Sequence, residues 1–358
     1  MMPKMPSREP NTPLKCAGCS ANMAFDPASG GLRCPYCGAT AVVPESGLDS
    51  VREHPYESRL DTTALRKVSE AAIQVTCSGC GATVQFEPPT TAGTCSFCAA
   101  PIVAQPKAAD PLLAPDGLLP FGMTKDQAVS NTRTWLSALW FAPNALKAMA
   151  RPEGVHGVYV PFWTFDAETY TNFSGERGDS YMEERIIDNK VQQVQVTRWS
   201  PAGGDVQLTF DDILVPASKS ISPGRLAKLE PWDLEKVKPY EPAFLAGFQA
   251  QRYQLEVDGG LEASKRTMQA SIESAIRSQI GGNEQRIHRA DTAYSGMTFK
   301  HLLLPVWIGA YRFQGRVFQI AVNARTGEVQ GERPYSWAKI ALLVAAIAIM
   351  LLLVFRNR

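Results

Sequence analysis

Several kinds of chemistry are missing from this chain of 358 residues. No cysteine lies beyond Cys98. No lysine follows a glycine, so a phosphate-cradling Gly-Lys-[Ser/Thr] loop cannot form, and no aspartate precedes a glutamate, so the acidic Mg²⁺ pair of a helicase is missing as well. There is no His-Glu-x-x-His, no Gly-x-Ser-x-Gly and no Gly-x-Gly-x-x-Gly. The four histidines, His54, His156, His288 and His301, stand in unrelated contexts. Residues 75–106 contain neither Lys nor Arg. These absences remove the usual engines of nucleotide hydrolysis, metalloprotease and serine-hydrolase chemistry, and no catalytic or cofactor-binding residue stands out.

The cysteines themselves are strongly organised. Cys16-x2-Cys19 and Cys34-x2-Cys37 recur as Cys77-x2-Cys80 and Cys95-x2-Cys98, each position shifted by 61 residues. The flanks repeat too: Phe25-Asp26-Pro27 answers Phe86-Glu87-Pro88. A constant offset marks a duplicated unit. Two Cys-x2-Cys knuckles on adjacent hairpins close a tetrahedron of thiolates around Zn²⁺, leaving no open position for water or substrate. The expectation is two structural zinc ions, held by Cys16, Cys19, Cys34 and Cys37 and by Cys77, Cys80, Cys95 and Cys98. Units of about thirty residues lack a sufficient apolar core, so metal binding supplies folding energy. Iron in a rubredoxin-like site uses similar spacing and stays open.

The opposite end carries one long apolar run. Ile340 to Phe355 is uninterrupted by charge, Gly or Pro. Taken as 337–355, the segment is about 28 Å long as a helix, close to the hydrocarbon thickness of a bilayer. Tyr335 and Trp337 stand where an aromatic belt belongs, Lys339 can snorkel, and Arg356 and Arg358 follow the run. No signal-like stretch follows Met1, and zinc thiolates need a reducing compartment, so the expected placement is a single-pass inner-membrane protein with its N-terminal bulk in the cytoplasm.

Between these ends the chain has ordinary composition, 45% hydrophobic with formal net charge +1. Two Zn(Cys)₄ centres at −2 each bring the loaded chain to −3. The expected organisation is a disordered tail (1–13), a first ribbon (14–45), a linker with a short helix at 61–74 (46–74), a second ribbon (75–106), a Pro-rich linker (107–120), an α+β, mostly antiparallel β-rich domain (121–335) and the membrane helix. Within the domain, a helix over 124–141 opens on a Thr124/Gln127 capping box, with Val129, Leu136, Leu139 and Trp140 on its apolar face. A second helix spans 261–280 and ends at Gly281-Gly282. Strands are predicted at 159–173, 191–199, 206–215, 285–293, 298–311 and 317–322, with hairpin turns at 313–316 and 323–328. Arg177-Gly178-Asp179 reads as a tight turn, and Asp166, Glu168, Glu176, Arg177 and Asp179 as a strand end and polar turn, with a ligand groove as the less favoured reading. Val160-Pro161-Phe162-Trp163 and Leu304-Pro305-Val306-Trp307 share a pattern that suggests two related β units.

Those two segments, the cysteine pairs, Gly157-Val158-Tyr159, Gly175-Glu176-Arg177-Gly178-Asp179 and Gly331-Glu332-Arg333-Pro334-Tyr335-Ser336-Trp337 together resemble a family of bacterial membrane-anchored zinc-ribbon proteins. Its members carry "primosomal helicase-like" or TFIIB-type labels, and some look like partners of SPFH-type or phage-shock envelope-stress proteins. The resemblance implies only the eight metal ligands and no catalytic residue. Without a P-loop lysine the helicase label has no ATPase behind it. The expected function is a non-enzymatic adaptor that docks a protein partner at the membrane. The alternatives are nucleic-acid binding through the ribbons, disfavoured by their lack of basic residues, and an enzyme with its site in 121–335.

Overall fold

The computed structural model describes residues 14–44, 50–60, 65–66, 73–77, 83–86, 92–95, 97, 101–103, 112–143, 154–187, 190–313 and 316–356. In chain order the elements that place the site are β1 (Ala24–Asp26), β2 (Gly31–Arg33), β3 (Thr40–Ala41), β4 (His54–Pro55), β5 (Gly117–Leu118), α1 (Lys125–Ala138), β6 (Val155–Ile187) and β7 (Lys190–Pro216). Then follow α2 (Val257–Ile280), β8 (Glu284–Phe313), β9 (Arg316–Asn323), β10 (Val329–Gly331) and α3 (Trp337–Arg356).

Three very long antiparallel strands dominate, in the order β7–β6–β8. Sequence patterning predicts shorter pieces, 191–199 and 206–215, where β7 runs unbroken, and 285–293 and 298–311, where β8 does. Gly203 and Gly204 lie in the gap between the two predicted pieces, and they pair with Ser174 and Phe173 inside the ribbon. A Cβ on Gly203 would lie 3.1 Å from the Phe173 carbonyl oxygen, so glycine here serves close strand approach instead of a turn. Arg177-Gly178-Asp179 is likewise mid-strand in β6, not a turn. Gly178 pairs with Glu284, and a Cβ added to it would meet the Trp199 ring at 2.9 Å.

The ribbon bends where Asp166 meets β7 and β8. The β6–β7 register shifts between Phe165 and Ala167, the β6–β8 register between Asp166 and Glu168. Asp212 (φ 51°) and Gly296 (φ 58°) supply the left-handed residues that such bulges use. The two Pro-x-Trp segments cross at the pair Val160–Leu304, so they sit on neighbouring strands about a local two-fold centre.

Alternation on these strands builds two cores, one on each face. Val158, Val160, Phe162, Leu302, Leu304, Val306 and Ile308 line one face, where Cys77, Cys95 and Phe97 join them. Tyr159, Leu303, Trp307, Ile320 and Val322 line the other, where Cys16, Met23, Phe25, Leu32 and Cys34 join them together with α1. The two copies of the cysteine unit therefore contribute to opposite faces of one sheet. Farther along the ribbon α2 covers Trp163, Phe165 and Phe173. Its buried Gly260, Ser264, Met268, Ile272, Ile276 and Ile280 recur every fourth residue, and Gly281 (φ 68°) ends it.

Several expectations are corrected by the pairing. Leu65–Arg66, inside the predicted linker helix, is a strand paired with Leu112–Leu113, and Ile73–Thr76 is a strand paired with Thr83–Phe86; the rest of 61–74 lies outside the described residues. β5 falls in the segment read as linker, yet it lies parallel to Leu302–Leu303 as an interior strand, with Leu118 and Leu119 fully buried. β4 pairs with Thr298–Phe299, and Lys300 Nζ reaches Glu53 at 3.0 Å, so residues after the first ribbon clasp the sheet. The disordered tail predicted for 1–13 lies outside the described residues.

α1 has the predicted capping box, with Thr124 N–H donating to Gln127 Oε1 at 2.8 Å. It stops at Ala138, three residues short of the predicted end, and Trp140 is 74% exposed instead of joining the apolar face. α3 is long and apolar enough to cross a membrane, and none of its residues is buried by the rest of the protein.

Candidate metal centre

The first cysteine set is assembled by two turns of matching geometry. In one, Cys16 N–H donates to Ala21 O at 2.8 Å and Ser20 N–H to Cys16 O at 2.8 Å. In the other, Cys34 N–H donates to Ala39 O at 2.8 Å and Gly38 N–H to Cys34 O at 3.1 Å. Each turn lifts a pair of sulfurs toward the other. The order β1–β2–β3 holds the turns together, with Phe25 opposite Leu32 beneath them. Phe25 packs edge-on to Phe244 with centroids 5.3 Å apart, and its N–H donates to Ala246 O at 2.8 Å, which fastens the unit to the large domain.

All four ligand atoms lie within 4.8 Å of one another. Cys16 Sγ is 3.5 Å from Cys37 Sγ, and Cys19 Sγ is 3.4 Å from Cys34 Sγ, too far for disulfides. Sulfurs bound to zinc at about 2.3 Å form a tetrahedron with edges of about 3.8 Å. The observed set has that size, and a divalent cation such as zinc fits it.

The electrostatics point the same way. The Cys19 and Gly18 amides aim at the Cys16 sulfur and hold its thiol below the usual range. The Cys37 and Tyr36 amides do the same for Cys34, lowering it to about 6. For Cys19 the Ala21 amide favours the thiolate, but the Cys34 and Cys37 sulfurs outweigh it and push the thiol up to about 12. Four sulfurs this close cannot all carry charge unaided; a bound cation would let them. Cys16 and Cys34 are buried against the sheet while Cys19 and Cys37 face solvent.

In the second set, Cys77 and Cys95 are buried, matching their counterparts Cys16 and Cys34. Cys80 and Cys98 lie outside the described residues. One relation that the cysteine spacing alone does not reveal follows from the same offset: Tyr36 corresponds to Phe97. Tyr36 is 83% exposed, whereas Phe97 is fully buried and its carbonyl accepts from Gln319 Nε2 at 2.6 Å. Aligning the two copies beyond the cysteines would have exposed this pair.

The chain is similar to an uncharacterized protein of Bacillus subtilis (strain 168), YdjG, at 29% identity over 342 residues, covering 93% of each chain. No protein-family model matches the chain, and no solved structure matches it.

Most of the polar groups singled out in sequence are engaged within the ribbon itself. Asp166 accepts from Asp212 N–H at 2.7 Å and Thr298 Oγ1–H at 2.5 Å. Asp166, Asp211 and Asp212 gather oxygens closely enough for a cation, but Lys300 Nζ lies 2.7 Å from Asp212 Oδ1 and already supplies positive charge. Burial, then the Asp212 and Asp166 charges, raise the Asp211 carboxyl. Arg177 pairs with Asp179, and Glu176 with Arg286 and His288; Glu168 is exposed on the strand. Asp116 ties together two segments that carry histidines: His54 Nε2 lies 2.7 Å from Oδ1, and the His301 backbone N–H donates to Oδ2 at 2.8 Å, while the His301 ring Nδ1 lies 3.1 Å from Leu113 O. The His301 ring is buried between Trp163 and Tyr253, which lowers its pKa.

Proposed function

We propose that this protein is a non-enzymatic adaptor: a zinc-stabilised docking head and β-rich domain held by α3 at the cytoplasmic face of the bacterial inner membrane. In this reading two structural zinc ions are bound, by Cys16, Cys19, Cys34 and Cys37 and by Cys77, Cys80, Cys95 and Cys98. The observation that carries it is the Tyr36–Phe97 contrast. One copy of the duplicated unit spends its knuckle aromatic on the protein's own sheet, and the other leaves the same position open, with Tyr36 83% exposed. A surface that binds protein in one copy is a reasonable docking surface in the other. Residues 75–106 have no cation for a phosphate backbone. The family resemblance makes an SPFH-type or phage-shock membrane protein the partner class, with envelope stress as the process.

The test is affinity purification of the full chain from detergent-solubilised membranes, wild type beside Tyr36→Ser. The expected result is a stoichiometric protein partner that the variant loses. Recovery of nothing, or of salt-sensitive nucleic acid, contradicts the adaptor reading.

A further inference from the structure

Trp140 is a large apolar side chain left 74% exposed although its neighbours Leu139 and Ala142 are buried in the core shared with the first cysteine unit. Its backbone is fixed from a second side. Ser336 N–H donates to Phe141 O at 2.7 Å, and Lys339 Nζ donates to Trp140 O at 3.0 Å and to Ala142 O at 2.9 Å. The Ser336 carbonyl also accepts from Ile340 N–H at 3.1 Å, which opens the apolar helix α3. The turn after α1 and the first turn of α3 are thus one stitched unit. Lys339, which the sequence suggested as a snorkelling residue, spends its ammonium on two carbonyls of that turn.

Trp337 is 80% exposed and Tyr335 is exposed beside it, with the Arg333 guanidinium over the Tyr335 ring. Amphipathic aromatic rings favour the boundary between headgroups and acyl chains, where the ring body is desolvated and the N–H or O–H stays wet. If α3 crosses the bilayer, its first turn lies at that boundary. The three hydrogen bonds then bring Trp140 to the same depth.

We propose that Trp140 is a second interfacial membrane contact, positioned by Lys339, so that the domain rests on the lipid surface and α3 is not its sole attachment. This rests on reading α3 as a membrane span. The occupant is the bilayer that α3 enters, because the exposed ring is continuous with the start of that helix.

The full chain reconstituted into phosphatidylcholine–phosphatidylglycerol vesicles provides the test, with lipids brominated near the headgroup end of the acyl chain as quenchers. Emission of each indole is isolated as the difference between wild type and Trp140→Phe or Trp337→Phe. The expected result is that bromolipid quenches both differences, and that Lys339→Met weakens quenching of Trp140 while leaving Trp337 quenched. Quenching of Trp337 without Trp140, with Trp140 open to aqueous iodide, overturns the inference and leaves the anchor standing. So does shielding of Trp140 from both quenchers, which would mark a protein contact. Unchanged Trp140 quenching in Lys339→Met overturns the positioning role. A chain that fails to float with the vesicles, with neither difference quenched, overturns the anchor reading itself.

Discussion

Ser20 and Gly38 hold the same backbone position in the two knuckles, with φ of 59° and 75°, and each donates its N–H to the carbonyl of the first cysteine four residues earlier. A left-handed conformation costs a residue with a Cβ roughly 1–2 kcal/mol, a cost that glycine escapes. Ser20→Gly is therefore expected to stabilise the first unit by about 0.5–1 kcal/mol, after the extra unfolded-chain entropy of glycine is counted. Slower loss of metal to a chelator would record the gain. Faster loss would show that the Ser20 side chain does something the turn geometry does not reveal.

Phe25 links the metal unit to the domain. It packs against Phe244 and Phe248, and Phe248 stacks at 4.0 Å on Phe121, which in turn meets Trp307. Phe25→Ala should cost about 3–4 kcal/mol, read as a lower thermal midpoint and new proteolysis within residues 14–44. Through the same chain of rings, metal removal should lower the midpoint of the whole domain. Independent melting of the two parts would disprove the coupling.

Arg325 grips Asp233 with Nε at 3.0 Å and Nη2 at 2.6 Å, and also donates to Pro120 O at 3.2 Å. Burial disfavours the charged form of Asp233, but the Arg325 fork and Lys236 outweigh it and hold the carboxyl below its usual range. A depressed carboxylate stabilises the fold above the ordinary Asp range near pH 4, and the contribution fades as pH falls through the lowered value. Asp233→Asn should cost about 2 kcal/mol at neutral pH. The gap to wild type should narrow on acidification, as denaturant titrations at several pH values would show. A gap constant with pH would contradict the assignment.

Gly175 sits at a register shift between β6 and β8, where a Cβ would lie 2.2 Å from the Arg286 carbonyl oxygen. Backbone cannot yield as a side-chain tip can, so Gly175→Ala should destabilise by about 1–3 kcal/mol. Gly224, whose Cβ position is open, is the matched control, with a smaller expected change in thermal midpoint.

Local chemistry was legible in the sequence and long-range pairing was not. The cysteine spacing, the Thr124–Gln127 box, the Gly281 stop and the apolar run of α3 each depend on neighbours within one or two turns. The length of β6, β7 and β8 does not, because Gly203 and Gly178 look like punctuation until a partner strand is known to pass over them. Leu65 and Ile73 fitted a helical face, yet cross-strand partners override so weak a local preference. Trp140 fitted the face of α1, but Leu139 (ψ 87°) leaves the helix and closes back on Leu136 O, and Lys339 and Ser336, nearly two hundred residues away, bind the carbonyls of the turn that follows. Tyr36 and Phe97 show a further limit: duplication is visible in sequence, but which copy turns its aromatic inward depends on the sheet that receives it.

Whether the cysteine units are metal centres is the central question, and metal analysis of the full chain purified from membranes answers it most directly. Two zinc ions per chain are expected, falling to one in Cys37→Ser with the second unit intact. Iron in place of zinc, or a metal content near zero in protein that is folded and reduced, would contradict it.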